Sequence, residues 1–233
     1  GTKEMYRAEV GYPIGYFWGY KTAGVFQNAE QVAATGAKLE NAQPGDLIFI
    51  DTNGDGAITD ADKVMIGDPN PDFQSSFSVN FGYKGFDLSL TATGKFGHQI
   101  AKSYRSFADS PLHNYTTDIF ERWHGEGTSD KLPRLTSGSH PNWQNISDIY
   151  IENGDYVKLQ NLTVGYDLKK ILPKLPFSQT RVYFTAQNLF TITGYSGMDP
   201  EVGYGDDRGW VSGIDLGFYP SPRTYLIGVN LKF

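Results

Sequence analysis

Cysteine is absent from all 233 residues, which removes disulfide frameworks, thiolate catalysis and Cys-based zinc or iron–sulfur sites together. The chain also has no run of eighteen apolar residues, and its mean hydropathy is −0.41. A helical membrane span is thereby excluded. A β-barrel is not, because only every second residue of a spanning strand has to be apolar. No basic block offsets the net charge of −6, and Lys169-Lys170 is the only adjacent basic pair, so nucleic acid is not an expected partner. The opening Gly1-Thr2-Lys3-Glu4-Met5-Tyr6 lacks the basic start, apolar run and cleavage site of a secretory leader; either one was removed or these residues are an internal piece.

Recognisable catalytic patterns are missing too. His98, His113, His124 and His140 are scattered without HExxH spacing, and no serine nucleophile elbow occurs. Gly125-Glu126-Gly127 lacks the downstream glycine and the strand-to-helix setting of a phosphate loop. Asp206-Asp207 and Asp199 with Glu201 are close only in sequence, whereas glycoside hydrolysis needs two carboxyls held at a defined gap across a cleft. The reading is therefore a protein that is not an enzyme. Asn114, Asn145 and Asn161 each open an Asn-x-Ser/Thr triplet, which reads as chance.

What is present is alternation. Tyr225, Ile227, Val229, Leu231 and Phe233 share one parity while Leu226, Gly228, Asn230 and Lys232 share the other. Phe77, Val79, Phe81 and Tyr83 alternate with Ser76, Ser78, Asn80 and Gly82. Lys84-Gly85 then reverses the chain, and Phe86, Leu88, Leu90 and Ala92 continue the apolar face opposite Asp87, Ser89, Thr91, Thr93 and Lys95. Segments of nine to eleven residues with this period match tilted strands that meet lipid on one side and water on the other. Further strands are predicted over 16–25, 47–50, 156–166 and 181–192, with a bulge near Asn161 where the apolar phase changes. Twenty-seven glycines, fifteen tyrosines and fifteen phenylalanines suit turns and aromatic girdles. The connections alternate as well: 84–85 is minimal, 97–155 very long, 167–180 intermediate and 194–223 long. A secreted β-sandwich with the same period of two is the competing architecture.

One loop has metal-ligand spacing. Asp51, Asn53, Asp55, Thr59 and Asp62 occupy positions one, three, five, nine and twelve of a calcium loop, with Gly56 at six and the carbonyl of Ala57 at seven. Ile58 should pack beneath it. Position twelve carries the shorter Asp62 instead of Glu, and Pro44, Pro69 and Pro71 leave no room for flanking helices, so this is not an EF-hand pair. The expectation is a structural Ca²⁺ with a dissociation constant on the order of 10⁻⁴–10⁻³ M; the alternative is an Asx-rich turn without an ion.

Taken in order, these segments resemble the C-terminal part of the SusC/RagA family of TonB-dependent outer-membrane transporters. The residues that carry the likeness are Gly19-Tyr20-Lys21-Thr22 with Gly24, the Asp51 to Asp62 loop followed by Ile66-Gly67-Asp68-Pro69 and Phe73, and Tyr83-Lys84-Gly85-Phe86-Asp87-Leu88. It continues with Glu152-Asn153-Gly154-Asp155-Tyr156-Val157-Lys158-Leu159-Gln160-Asn161-Leu162-Thr163-Val164-Gly165-Tyr166, Gln187-Asn188-Leu189-Phe190, Tyr195-Ser196-Gly197-Met198-Asp199-Pro200-Glu201 and Tyr219-Pro220-Ser221-Pro222-Arg223-Thr224. The resemblance implies an all-β fold, an antiparallel transmembrane β-barrel of twenty-two strands with long extracellular loops, of which residues 1–233 are a C-terminal portion without the plug or early strands. It implies a SusD-like surface lipoprotein, TonB acting through the absent plug, and import of oligosaccharides or oligopeptides across the outer membrane. It also makes Phe233 an assembly signal for barrel insertion.

An isolated piece of this size would leave strand edges unpaired in lipid, so the remaining N-terminal part of the barrel is itself an expected partner. If the end of the chain is periplasmic, residues 51–74, 97–155 and 194–223 are external. Trp123, Trp143, Tyr204, Trp210, Phe218 and Tyr219 on or beside these loops are candidates for stacking on ligand or anchoring the lipoprotein.

Overall fold

The computed structural model describes residues 5–103, 117–136, 140–202 and 212–233. They fall into two compact units: residues 71–97, 154–200 and 219–233 form a strand unit, and residues before 71, 98–153 and 201–218 form a loop unit. The strands in chain order are β1 Tyr6–Arg7, β2 Tyr16–Gly19, β3 Thr22–Val25, β4 Leu47–Phe49, β5 Val64–Gly67, β6 Phe73–Tyr83 and β7 Phe86–Phe96. They continue as β8 Gln99–Lys102, β9 Ile151–Asn153, β10 Tyr156–Asp167, β11 Gln179–Thr193, β12 Ile214–Asp215 and β13 Thr224–Lys232.

The strand unit is one antiparallel sheet in the order β13-β11-β10-β7-β6. Its β6–β7 hairpin runs without a register break from Phe73 opposite Phe96 to Tyr83 opposite Phe86. Lys84 at φ 46° and Gly85 at φ 90° supply the two positive dihedrals that a type I′ turn requires, so the two-residue reversal matches the strand twist. Register then carries the apolar parity across the sheet: Phe81 lies opposite Leu88, Leu88 opposite Val164, Val164 opposite Phe184 and Phe184 opposite Ile227. That face is bare, with Phe77 62%, Phe81 53% and Ile227 81% exposed. Among the described residues the strand unit holds no second sheet, so the sandwich alternative fails. The predicted bulge lies between Leu159 and Asn161, where Gln160 is one residue too many for β7. In the facing strand Asn188, at φ 51°, and Leu189 fill the same break.

The opposite face is polar and internally bonded. Arg181 donates through Nε and Nη2 to both oxygens of Asp87, at 2.8 and 2.5 Å, reaching across β10. A Cβ on the intervening Gly165 would lie 2.5 Å from Asp87 Oδ1 and 2.6 Å from Arg181 Nε, so this ion pair needs glycine beneath it. Thr163 and Thr185 share a hydroxyl bond of 2.9 Å on the same face.

The loop unit is built differently. Residues 16–25 are not the single strand that alternation predicts but two, because the backbone at Tyr20 bonds instead to the 146–148 segment: Tyr20 N donates to Ile146 O and Asp148 N donates to Tyr20 O. β2 pairs with β1 and β5, while β3 pairs with β4. Met5, Phe17, Ile66, Ala101 and Ile214 form one apolar core, and Tyr20, Val25, Leu47 and Phe49 form a second. Tyr16 and Phe17, of opposite parity, are both fully buried, so these strands are enclosed on two sides.

Candidate functional site

Three arrangements carry recognition chemistry. The first is the Asp51–Asp62 loop. Asp51 accepts from the amides of Gly54 and Gly56 at 2.7 and 2.8 Å, Asn53 Oδ1 from Asp55 N at 2.9 Å, and Asp55 Oδ1 from Ala57 N at 2.9 Å. These successive Asx turns curl the chain tightly over 51–57. Thr59 and Asp62 close the loop as a capping box: Thr59 Oγ1 accepts from Ala61 N and Asp62 Oδ2 from Thr59 N, at 3.2 and 2.7 Å. Asp62 Oδ1 also accepts from Thr52 N at 2.9 Å. The Thr59 amide foremost, with those of Thr52 and Asn53, holds the Asp62 carboxyl below the ordinary carboxylate range. Ile58 packs against the second apolar core. Among the described residues no three His, Asp or Glu side chains converge as a metal cluster. The oxygens of Asp51, Asn53, Asp55, Thr59 and Asp62 instead accept from amides of the loop itself.

The second lies in the loop unit, where Asp46 is nearly buried and fully bonded. Arg134 Nε donates to Asp46 Oδ1 at 2.7 Å, Asn142 Nδ2 to the same oxygen at 3.0 Å, and Gln43 N to Oδ2 at 2.9 Å. Asn142 Oδ1 accepts from Leu47 N at 3.0 Å, which ties the cluster to β4. His140 stands with Nε2 3.2 Å from Arg134 Nη2 and 3.8 Å from Asp46 Oδ1, and Nδ1 accepts from Asn142 N at 3.2 Å. Burial, reinforced by the Arg134 charge and opposed by Asp46, pushes the His140 pKa below its ordinary value. The cluster and residues 39–43 together line a cavity of about 360 Å³.

The third belongs to the strand unit. A cavity of about 580 Å³ is lined by Lys158, Thr191, Thr193, Asp199, Tyr219 and Arg223, among others. Lys158 lies opposite Thr93 and Thr191 on the polar parity and is 3% exposed; its Nζ is 3.9 Å from Asp199 Oδ2, which accepts from Ser221 N at 3.1 Å. Asp155 draws strand ends together here, accepting from Gly97 N at 2.7 Å through Oδ1 and from Thr193 Oγ1 at 2.8 Å through its carbonyl. Asp199 thus braces the loop between Lys158 and Ser221.

Of the aromatic candidates, Tyr219 is 90% exposed and lines this cavity. Phe218 is also exposed. Trp123 lies against Gly45, whose φ of 89° and missing Cβ admit the indole, and the Trp143 carbonyl accepts from the Tyr150 hydroxyl; both rings are partly buried. Tyr204, Trp210, His113, Asn114, Asp206 and Asp207 lie outside the described residues. Sequence reasoning missed Asp46, Arg134 and Asn142, which are 88 and 96 positions apart in their pairings and carry no local signature.

No family model matches the chain. Among curated proteins it is 36% identical over 228 residues to TonB-dependent receptor P3 of Formosa agariphila, covering 96% of this chain and 22% of that protein. It is 30% identical over 196 residues to TonB-dependent receptor SusC of Bacteroides thetaiotaomicron, covering 83% of this chain and 18% of that one. The chain spans about a fifth of the length of the curated relatives it matches. Among solved structures, the RagAB peptide transporter superposes with a TM-score of 0.70 at 20% identity, over 99% of this chain and 24% of its counterpart. The RagAB peptide importer in its open-open state gives 0.70 at 23% identity, over 97% and 23%. At those identities the structural likeness speaks for the barrel fold alone.

Proposed function

Since this chain belongs to the TonB-dependent receptors of the SusC/RagA kind, proteins of the bacterial outer membrane, we propose that it forms wall strands and mouth loops of an importer for oligomeric nutrients. The observation that carries this reading is the five-stranded antiparallel sheet with one bare apolar face and one bonded polar face, the division of surfaces that a lipid-embedded barrel wall needs. The minimal Lys84-Gly85 turn then lies in the periplasm, and the loop unit belongs to the external mouth. A SusD-like lipoprotein delivers the ligand, and TonB supplies energy through a plug carried by the rest of the polypeptide. Tyr219 and Arg223 offer a stacking ring and a cation to a ligand entering that mouth.

Oligosaccharides are the first candidates for cargo and oligopeptides the second, the latter in line with the fold shared with the RagAB peptide transporter. The test is mass spectrometry of material copurified with the intact complex, followed by uptake of that material in cells with and without TonB. Copurified oligosaccharide with TonB-dependent uptake supports the reading; uptake unchanged by deleting the transporter contradicts it.

The Asp51, Asn53, Asp55, Ala57, Thr59 and Asp62 loop is proposed to hold a structural calcium ion. The spacing and the succession of Asx turns support this. Calcium should slow proteolysis within 51–62 and Asp51→Asn should remove that protection; a cleavage rate indifferent to calcium contradicts the site.

A further inference from the structure

The end of the strand unit that reverses through Lys84-Gly85 collects positive charge. Lys84, Lys169, Lys170 and Lys174 all lie there. The contacts show the two turns side by side: Gly85 abuts the stem of Lys170, with a Cβ on that glycine meeting Lys170 Cγ at 2.5 Å, and Asp167 N donates to Gly85 O at 2.7 Å. Nearby acids do not balance these lysines. Asp87 is taken by Arg181, and Asp167 Oδ1 accepts from the amides of Lys169 and Thr180 at 3.1 and 3.2 Å. Lys169 is held inward, donating to the carbonyls of Leu175 and Phe177 at 2.8 and 2.6 Å. Lys84, Lys170 and Lys174 are exposed, and none makes an ion pair among the described residues.

Beside these three cations stand exposed apolar side chains. Tyr83 continues the bare face of β6, and Ile171 and Leu172 are exposed in the 168–178 turn. A lysine stem that lies on apolar surface while its ammonium reaches outward is suited to the boundary between acyl chains and headgroups, and a tyrosine belongs at the same depth. Fixed cations at that depth attract a headgroup with net negative charge and gain little from a zwitterionic one.

We propose that Lys84, Lys170 and Lys174, with Tyr83, Ile171 and Leu172, form a docking rim for anionic phospholipid of the periplasmic leaflet, the phosphatidylglycerol class. The leaflet rests on the reading of the Lys84-Gly85 turn as periplasmic. The rim gives this part of the wall a charged lipid annulus that fixes its depth in the bilayer.

The experiment uses the intact transporter equilibrated with equal phosphatidylglycerol and phosphatidylcholine, with retained lipid counted by native mass spectrometry. The wild type retains phosphatidylglycerol preferentially. The K84Q/K170Q/K174Q variant loses that preference by on the order of tenfold, K84R/K170R/K174R keeps it, and K21Q/K38Q/K131Q in the loop unit leaves it unchanged. An unaltered preference in the glutamine triple overturns the proposal. If that triple does not fold, loss of preference in the folded arginine triple overturns it equally. Excess inorganic phosphate should leave the retained lipid in place; displacement would mark a free-anion site and refute the lipid assignment. Failure of TonB-dependent uptake with the lipid preference intact would count against the import reading alone, whereas labelling of K84C from outside intact cells would remove the leaflet.

Discussion

The strand unit and the loop unit both carry large apolar and aromatic side chains, yet they use them oppositely. In the strand unit the large apolar side chains point away from the protein: Phe77, Phe81, Ile192 and Ile227 are all more than half exposed. In the loop unit the equivalent residues point inward, and Tyr16, Phe17, Ile100 and Ile214 have no exposed surface. The difference follows from the solvent. A wall strand leaves its apolar face to lipid and bonds its polar face across the sheet, so its order comes from register and turn geometry. A loop unit in water must enclose a conventional core and satisfy its irregular backbone with side chains.

The largest effect that sharpens this contrast is expected in the loop unit. Phe17→Ala removes a fully buried ring from the first core and should cost about 3–5 kcal/mol, read as loss of hydrogen-exchange protection in β2 and β5; Phe81→Ala, on the bare face, should cost far less. The next tests the lipid side. Val79→Lys places a charge on the apolar face near the middle of β6 and should destabilise the folded barrel by roughly 2–4 kcal/mol, whereas Ser78→Lys, one residue away on the polar face, should be tolerated. Equal costs at 78 and 79 in bilayer unfolding titrations would erase the distinction.

The polar face has its own weak point. Gly165→Ala should cost about 1–3 kcal/mol, because the added methyl meets Asp87 and Arg181 at once and neither strand can move without breaking register. Asp87→Asn in the same background should then cost little more, since the pair is already parted. Titration gives the smallest effect. His140 takes a proton less readily in the folded loop unit than at its ordinary value of 6.5. The unfolded chain therefore binds the extra proton first, and loop-unit stability should fall as pH drops below 6.5 through the lowered folded value. Asp46, Arg134 and Glu40 are the charged groups around the same cavity. Exchange of the Leu47 amide should accelerate over that range in the wild type and stay flatter in His140→Gln.

Legibility in the sequence divides along the same line. The β6–β7 hairpin, its turn, the three-strand continuation and the break beside Asn161 are all written in period-two alternation, because lipid on one face and water on the other leave no freedom in parity. The loop unit is not written that way. Tyr16, Phe17 and Tyr20 are buried irrespective of parity, so the 16–25 segment reads as one strand until the 146–148 backbone interrupts it. The Asp51–Asp62 loop was visible because its oxygens recur within twelve residues. The Asp46, Arg134 and Asn142 cluster was invisible because its members meet only through the fold, and Gly165 gave no sign that two charges cross above it.

The central claim is that the outward parity of the long strands faces acyl chains. Single cysteines placed in turn at 76 through 82 of the intact transporter, labelled with a fluorophore and reconstituted with nitroxide-bearing lipid, test it directly, since this chain contributes no cysteine of its own. Strong quenching at Phe77, Val79 and Phe81 with little at Ser76, Ser78 and Asn80 is the predicted pattern; quenching without a period of two, or with the opposite phase, would contradict the account.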